Sequence, residues 1–274
     1  MELLSLSDHV HAGEATIRYG VTGSGKDIIL VHGAAAHSKW WNPIIPLLEE
    51  NWRVITLDLS GHGDSEHRES YSPQIWAGEI EAVLNRVGAH RPLFVGHSMG
   101  GRLGISCVAA QPETFAGLVL FDVPVRPPHL YRKPYFTPRN SRTYSTLEQA
   151  LDRFHLLPKQ TEPPPSVLAP IARHSVRRAE FGWTWKADPK ALNRFDDQVV
   201  DREARAVRCP VVVVYGAQST LVSQEVAAYA AHVMQAEETL RVENAAHHVI
   251  LDQPGTCASI IDAAARRVLL PPSH

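Results

Sequence analysis

Residues 91–101 read Arg-Pro-Leu-Phe-Val-Gly-His-Ser-Met-Gly-Gly, a short apolar run that ends in G-x-S-x-G. An Ala- and Leu-containing helical pattern continues from there to Gln111-Pro112. The order is strand, sharp turn, helix. Glycines at 96 and 100 are required if Ser98 sits on a strained strand-to-helix turn, because a side chain at either position collides as the backbone doubles back. Such a turn holds the Ser98 hydroxyl up for attack. The helix that starts there aims unpaired backbone N–H groups at the same point, a site suited to a developing oxyanion. A chance G-x-S-x-G in a loop lacks both flanking elements.

Three further segments share this character. His32-Gly33 follows the apolar strand Ile28–Val31, and Asp58-Leu59-Ser60-Gly61-His62-Gly63-Asp64-Ser65 spells D-x-x-G-x-G-x-S. Near the C-terminus, His247 is followed by Asp252 and Pro254, five and seven residues on. With four motifs in this order, the chain resembles the α/β-hydrolase family over nearly its whole length. The resemblance implies a mostly parallel sheet flanked by helices. It also implies a core of residues 1–123 and 209–274, with a helical cap inserted at 124–208. The alternation of strand and helix independently favours parallel βαβ units.

The 274 residues, 44% hydrophobic, suffice for one such domain with an insertion. A net charge of −2 gives no basic footprint for nucleic acid. Residues 1–10 hold Glu2, Asp8 and His9 and no apolar stretch of signal-peptide length, and no run reaches transmembrane length. A soluble cytoplasmic protein acting on a small molecule is expected, with no membrane partner and an oligomeric state left open. The scattered Cys107, Cys209 and Cys257 lack metal spacing and read as reduced thiols. With no H-E-x-x-H and no dinucleotide fingerprint, neither a metal nor a cofactor is expected.

Taken in order, Ala15–Val21 reads as an early antiparallel strand. Gly20 to Lys26 mimics a phosphate loop, but Asp27 replaces the required Ser/Thr and a strand follows, so it reads as a hairpin turn. By the resemblance, the N–H of Ala34 pairs with that of Met99 as the oxyanion hole. His32 reads as structural, whereas His37, Trp40 and Trp41 are expected at the pocket or its rim. Asn42-Pro43 reads as a cap and first helical position for a helix to about Glu50, and Ser72-Pro73 as the same for a helix to about Val87. Asp58 is expected to order the turn that follows it.

From Pro124 to about Arg208 proline becomes dense and only modest helical patterns appear, near 146–154, 167–178 and 189–200. Tyr131, Tyr135, Phe136, Phe154, Phe181, Trp183 and Trp185 are candidates either for an apolar acyl pocket or for the interior of a small cap. Arg173, Arg177 and Arg178, at helical spacing, read as a solvated face. The chain returns to the core with Val211–Tyr215, a buried parallel strand.

The chemistry needs a base for Ser98 and an anion for the base. His247 is the base, since an imidazole titrates near neutrality and the spacing to Asp252 and Pro254 fits position 247 rather than His248. The family's usual acid position is Ser219, which carries no charge. In the family's strand order, Asp122 ends the strand between the nucleophile strand and the one ending at Tyr215, so it is the expected acid, with Glu225 the alternative. The reading is a serine esterase working through Ser98, His247 and Asp122, with lactones or carbon–carbon bonds of vinylogous diketones as neighbouring substrates. A non-catalytic binding scaffold is the alternative of another class, opposed by the intact Ser98 and His247. Epoxide hydrolase and dehalogenase relatives carry Asp where this chain has Ser98.

Overall fold

The structure is a computed structural model that describes residues 6–132, 142–160, 162–192 and 194–270. Two antiparallel strands open the chain, β1 (Asp8–Ala12) and β2 (Ala15–Thr22). Then follow β3 (Asp27–Val31), α1 (Ile45–Leu48), β4 (Arg53–Leu57), α2 (Pro73–Val87), β5 (Leu93–His97), α3 (Met99–Ala110) and β6 (Gly117–Phe121). The insertion holds β7 (Thr143–Tyr144), α4 (Leu147–Leu151), α5 (Pro165–His174), β8 (Val176–Ala179), β9 (Gly182–Trp185) and α6 (Asp197–Ala204). The chain closes with β10 (Val211–Gly216), α7 (Gln224–Met234), β11 (Glu238–Val242), α8 (Val249–Asp252) and α9 (Pro254–Leu269).

Eight strands form one sheet in the order β1-β2-β4-β3-β5-β6-β10-β11, and every pairing from β4 onward is parallel. The strands β3, β5, β6 and β10 are buried along their whole length. That is why their middles are apolar runs, Ile28–Val31 in β3 and Leu93–Val95 in β5 among them: helices cover both faces, so alternate residues serve opposite cores. Ile29 and Val31 join Trp76, Leu103 and Val226 on one side, while Ile28 and Leu30 join Trp41, Leu48 and Ile261 on the other. The expected neighbours of β6, namely β5 and β10, are in place. No helix of the described residues is long and apolar enough to cross a membrane. Cys107 and Cys257 are buried and Cys209 is half-buried, all three as free thiols.

Local signals succeed where the chemistry is local. The Ser72 hydroxyl accepts from the Ile75 N–H, Pro73 opens α2, and Gly88 closes it in the left-handed conformation. Asp58 holds its turn as expected, one carboxylate oxygen accepting from the Ser38 N–H and the other from the Asp64 N–H, each at 2.7 Å. Three expectations need correction. The Gly20–Lys26 segment is not a hairpin turn, because β4 lies between β2 and β3. Asn42 does not open a helix: Ser38–Trp41 already form a 3₁₀ turn that Asn42 closes in helical geometry, and α1 starts at Ile45. Arg177 and Arg178 lie on β8 of a small antiparallel sheet, β7-β9-β8, although both are exposed as expected.

Polar ties hold the insertion to the core. Asp197 of α6 is buried and accepts from Arg102 of α3 and from Arg126, with the Arg132 N–H a third donor. Tyr71 donates to Asp188 at 2.7 Å, and His37 bonds Ser175 at 3.0 Å.

Several buried imidazoles make the fold acid-sensitive. His32 uses both nitrogens as a neutral ring does, Nδ1–H donating to the Gly33 carbonyl and Nε2 accepting from the Leu59 N–H. Desolvation lowers its pKa from 6.5 to about 4, and lowers those of His62 and His248 to about 3. Below about pH 6.5 the unfolded chain protonates these rings and the folded chain does not. Stability is therefore full above that pH and falls as pH drops, by on the order of 1.4 kcal/mol per pH unit for each ring until its folded value is reached. The urea midpoint is expected to fall between about pH 7 and about pH 5, and His62→Gln to make that fall shallower. An identical pH dependence in the variant would show that His62 is not part of the cause.

Candidate active site

Ser98 sits between β5 and α3 with φ +52° and ψ −114°, a conformation that costs a non-glycine residue about 1–3 kcal/mol and persists when the surroundings enforce it. They do so here. A Cβ on Gly96 would lie 2.5 Å from the Gly101 backbone, and one on Gly100 would lie 2.3 Å from the Val31 carbonyl oxygen. The Ser98 N–H donates to the Phe121 carbonyl at 3.0 Å, which pins the turn against the end of β6. Among the described residues no hydrogen bond engages the Ser98 hydroxyl. Catalytic hydrogen bonds commonly tighten only once substrate is bound.

Asp122 is the next residue after β6, fully buried, also in the left-handed region at φ +50°. Its Oδ1 accepts from His247 Nδ1 at 2.7 Å and from the Ser219 hydroxyl at 2.7 Å, while Oδ2 accepts from the Gly216 N–H at 2.9 Å. Ser219, at the family's usual acid position, thus donates to the Asp122 carboxylate. Its own oxygen accepts from the Leu221 and Val222 N–H groups, so the hydroxyl proton has one direction left, toward Asp122. Glu225, on the first turn of α7, pairs at 2.9 Å with His129 of the turn Pro128–Leu130, and both side chains are exposed.

His247 is buried, and its Nδ1–H bond to Asp122 leaves Nε2 with the lone pair a base requires. Two braces hold its loop, and neither was read from the sequence. His97 Nε2 donates to the His247 carbonyl at 2.9 Å. From the insertion, Gln160 accepts from the His248 N–H at 3.1 Å and donates to Asp252, whose Oδ2 accepts from the Ala246 N–H at 2.8 Å. His97 lay inside the G-x-S-x-G motif and could have been weighed. Gln160 meets its partners across 88 and 92 residues, and no local pattern announces it.

The loop from His32 to Ala36 packs on the elbow: a Cβ on Gly33 would meet Ser98 Cβ at 3.4 Å. The N–H groups of Ala34 and Met99 make no hydrogen bond among the described residues. Trp40 packs edge-on to the His248 ring at 5.1 Å, beside the site. Trp41 does not line a pocket; it is fully buried against Phe121, beneath the site, because the 3₁₀ turn rotates it into the core. His37 is likewise buried and serves as a fastener to α5.

Of the insertion's aromatics, Trp183 lies under the Arg173 guanidinium at 5.2 Å, and Trp185 packs on Tyr144 and Phe154. Tyr131 donates to Asp201, and Phe181 is exposed. Tyr135 and Phe136 fall outside the described residues. A cavity of about 210 Å³ opens against His247, lined by Pro158, Lys159, Gln160, Gln218, Thr220 and Ala246.

Comparisons with known proteins bear on the family and the fold. The sequence signature of the alpha/beta hydrolase family matches residues 28–260. Esterase Rv0045c of Mycobacterium tuberculosis is 29% identical over 267 residues, covering 93% of this chain and 87% of its own. Two solved structures superpose with TM-scores of 0.79. One is E-2-(acetamidomethylene)succinate hydrolase, at 21% identity over 96% of this chain and 98% of its own. The other is the thioesterase domain from the curacin biosynthetic pathway, at 20% identity over 93% and 98%.

Proposed function

This chain belongs to the alpha/beta hydrolase family, and we propose that it is a serine hydrolase that cleaves carboxylic esters through an acyl-enzyme. The observation that carries this reading is the buried Asp122–His247 hydrogen bond at the strand end next to the Ser98 elbow. His247 Nε2 takes the Ser98 proton as the oxygen attacks the ester carbonyl, and Asp122 stabilises the imidazolium that results. The Ala34 and Met99 N–H groups receive the oxyanion. His247 then protonates the departing alcohol, and water, activated by the same imidazole, releases the acid. The esterase name of the mycobacterial relative points the same way.

Trp40, packed on His248 beside the site, supports a preference for neutral apolar or aromatic acyl groups; the insertion's aromatics do not line the cavity at His247. A panel of p-nitrophenyl esters, lactones, aromatic diketones and dicarboxylate monoesters measures the preference. Neutral aryl esters are expected to give the highest kcat/KM; charged monoesters in that place would overturn it. The mechanism itself is tested with a fluorophosphonate, which should add one label per chain, at Ser98, and stop turnover. Labelling at another residue, or ligand binding with no turnover of any panel member, would displace the serine-hydrolase reading.

A further inference from the structure

Three histidines meet at the site, and the proposed reaction uses one. His97, His247 and His248 are all buried, and one ring nitrogen from each lies within 4.8 Å of the others. The ring centroids are 4.9 to 5.6 Å apart. Both nitrogens of His248 and Nδ1 of His97 are buried with no hydrogen-bond partner, although the Leu157 carbonyl lies near the His248 ring. Leaving buried polar atoms unpaired costs about 1–3 kcal/mol each, and three such atoms in one cluster are a pattern that folding alone does not favour.

We propose that His97, His247 and His248 form a binding site for a divalent transition-metal ion of the zinc class, and that an ion bound there switches hydrolysis off. Three neutral imidazoles and no oxygen ligand select zinc, copper or nickel over magnesium or calcium. Burial favours the neutral, lone-pair-bearing form of His97 and His248. Zinc–nitrogen bonds of about 2.0–2.1 Å require the nitrogens to draw closer than they stand, and in turning inward His248 gives up only the nearby Leu157 carbonyl. Behind His247, Asp122 supplies the carboxylate–histidine contact that orients and strengthens a metal-bound imidazole. Inhibition follows because the ion takes the Nε2 lone pair that the base needs.

The other grouping of such ligands among the described residues, Asp58, Asp64 and His174, does not offer a site. Asp58 is committed to the Ser38 and Asp64 N–H groups, and Lys186 already sits on Asp64 at 2.5 Å.

The inhibitory half of the proposal rests on the serine-hydrolase reading; the binding half does not. Tag-free, chelator-stripped protein is titrated with cobalt chloride, read by visible absorption, and with zinc chloride, read by calorimetry. One ion per chain is expected, with the absorption of tetrahedral nitrogen-ligated cobalt. Aryl-ester hydrolysis should fall with the same zinc midpoint and return with EDTA. His248→Gln should weaken zinc binding by at least about tenfold and shift the inhibition midpoint equally, each variant being compared with its own metal-free rate. His97→Gln, which keeps an N–H for the His247 carbonyl but lacks an imidazole, should do the same if the first variant folds poorly. Absence of binding, or binding unchanged in both variants, as from the exposed His9 and His11 on β1, would overturn the proposal. Cobalt binding to a protein with no esterase activity would instead retain the site and remove the serine-hydrolase reading.

Discussion

Ser98→Ala is expected to lower kcat for an aryl ester by about 10⁶-fold, the scale on which loss of the nucleophile acts in a serine protease, with KM little changed. The size of the loss follows from the mechanism, since without Oγ no acyl-enzyme forms and only the oxyanion-hole donors and substrate binding remain. The thermal midpoint should stay within a degree or two of the wild type, because the hydroxyl holds no hydrogen bond among the described residues and its removal strands no partner. The variant should also resist fluorophosphonate. A loss of less than about a hundredfold would place the nucleophile elsewhere, whatever the elbow geometry.

Much of this was legible in the sequence because the constraints are local. An elbow needs its glycines where the backbone passes within 2.5 Å of a would-be Cβ, so the pattern survives in any sequence that makes the turn. Strands buried on both faces must be apolar along their middles, which made β3, β5, β6 and β10 readable and, with their spacing, the parallel sheet. The insertion was less readable. Its strands are two to four residues long, too short for a period of two to declare itself, and Arg177-Arg178 resembled a helix face until pairing with β9 made them a strand. β1, mostly exposed at the sheet edge, gave no apolar pattern at all. At the site, Asp122 could be nominated from a strand end and His247 from its spacing to Asp252 and Pro254, but the braces from His97 and Gln160 depend on how distant loops settle together.

The acid is where the reading departs most from the ordinary layout, and Asp122→Asn is expected to lower kcat by about 10⁴-fold, the cost of losing the tautomer-fixing carboxylate in a serine protease. The amide is nearly isosteric, so it can keep one acceptor oxygen for the Gly216 N–H or for Ser219, and the fold should persist. What it cannot keep is the charge, or an acceptor on both sides. An amide N–H turned toward His247 forces Nδ1 to accept, puts the imidazole proton on Nε2, and removes the base from Ser98. Ser219→Ala separates orientation from charge: the Asp122 carboxylate loses one of three donors but keeps His247, so a loss of roughly tenfold, with KM unchanged, is expected. Glu225→Gln should leave kcat unaltered, because its exposed carboxylate meets His129 on the surface of α7. If Glu225→Gln were the damaging change and Asp122→Asn mild, the acid would move to α7; if both were mild, His247 would be working without a carboxylate partner.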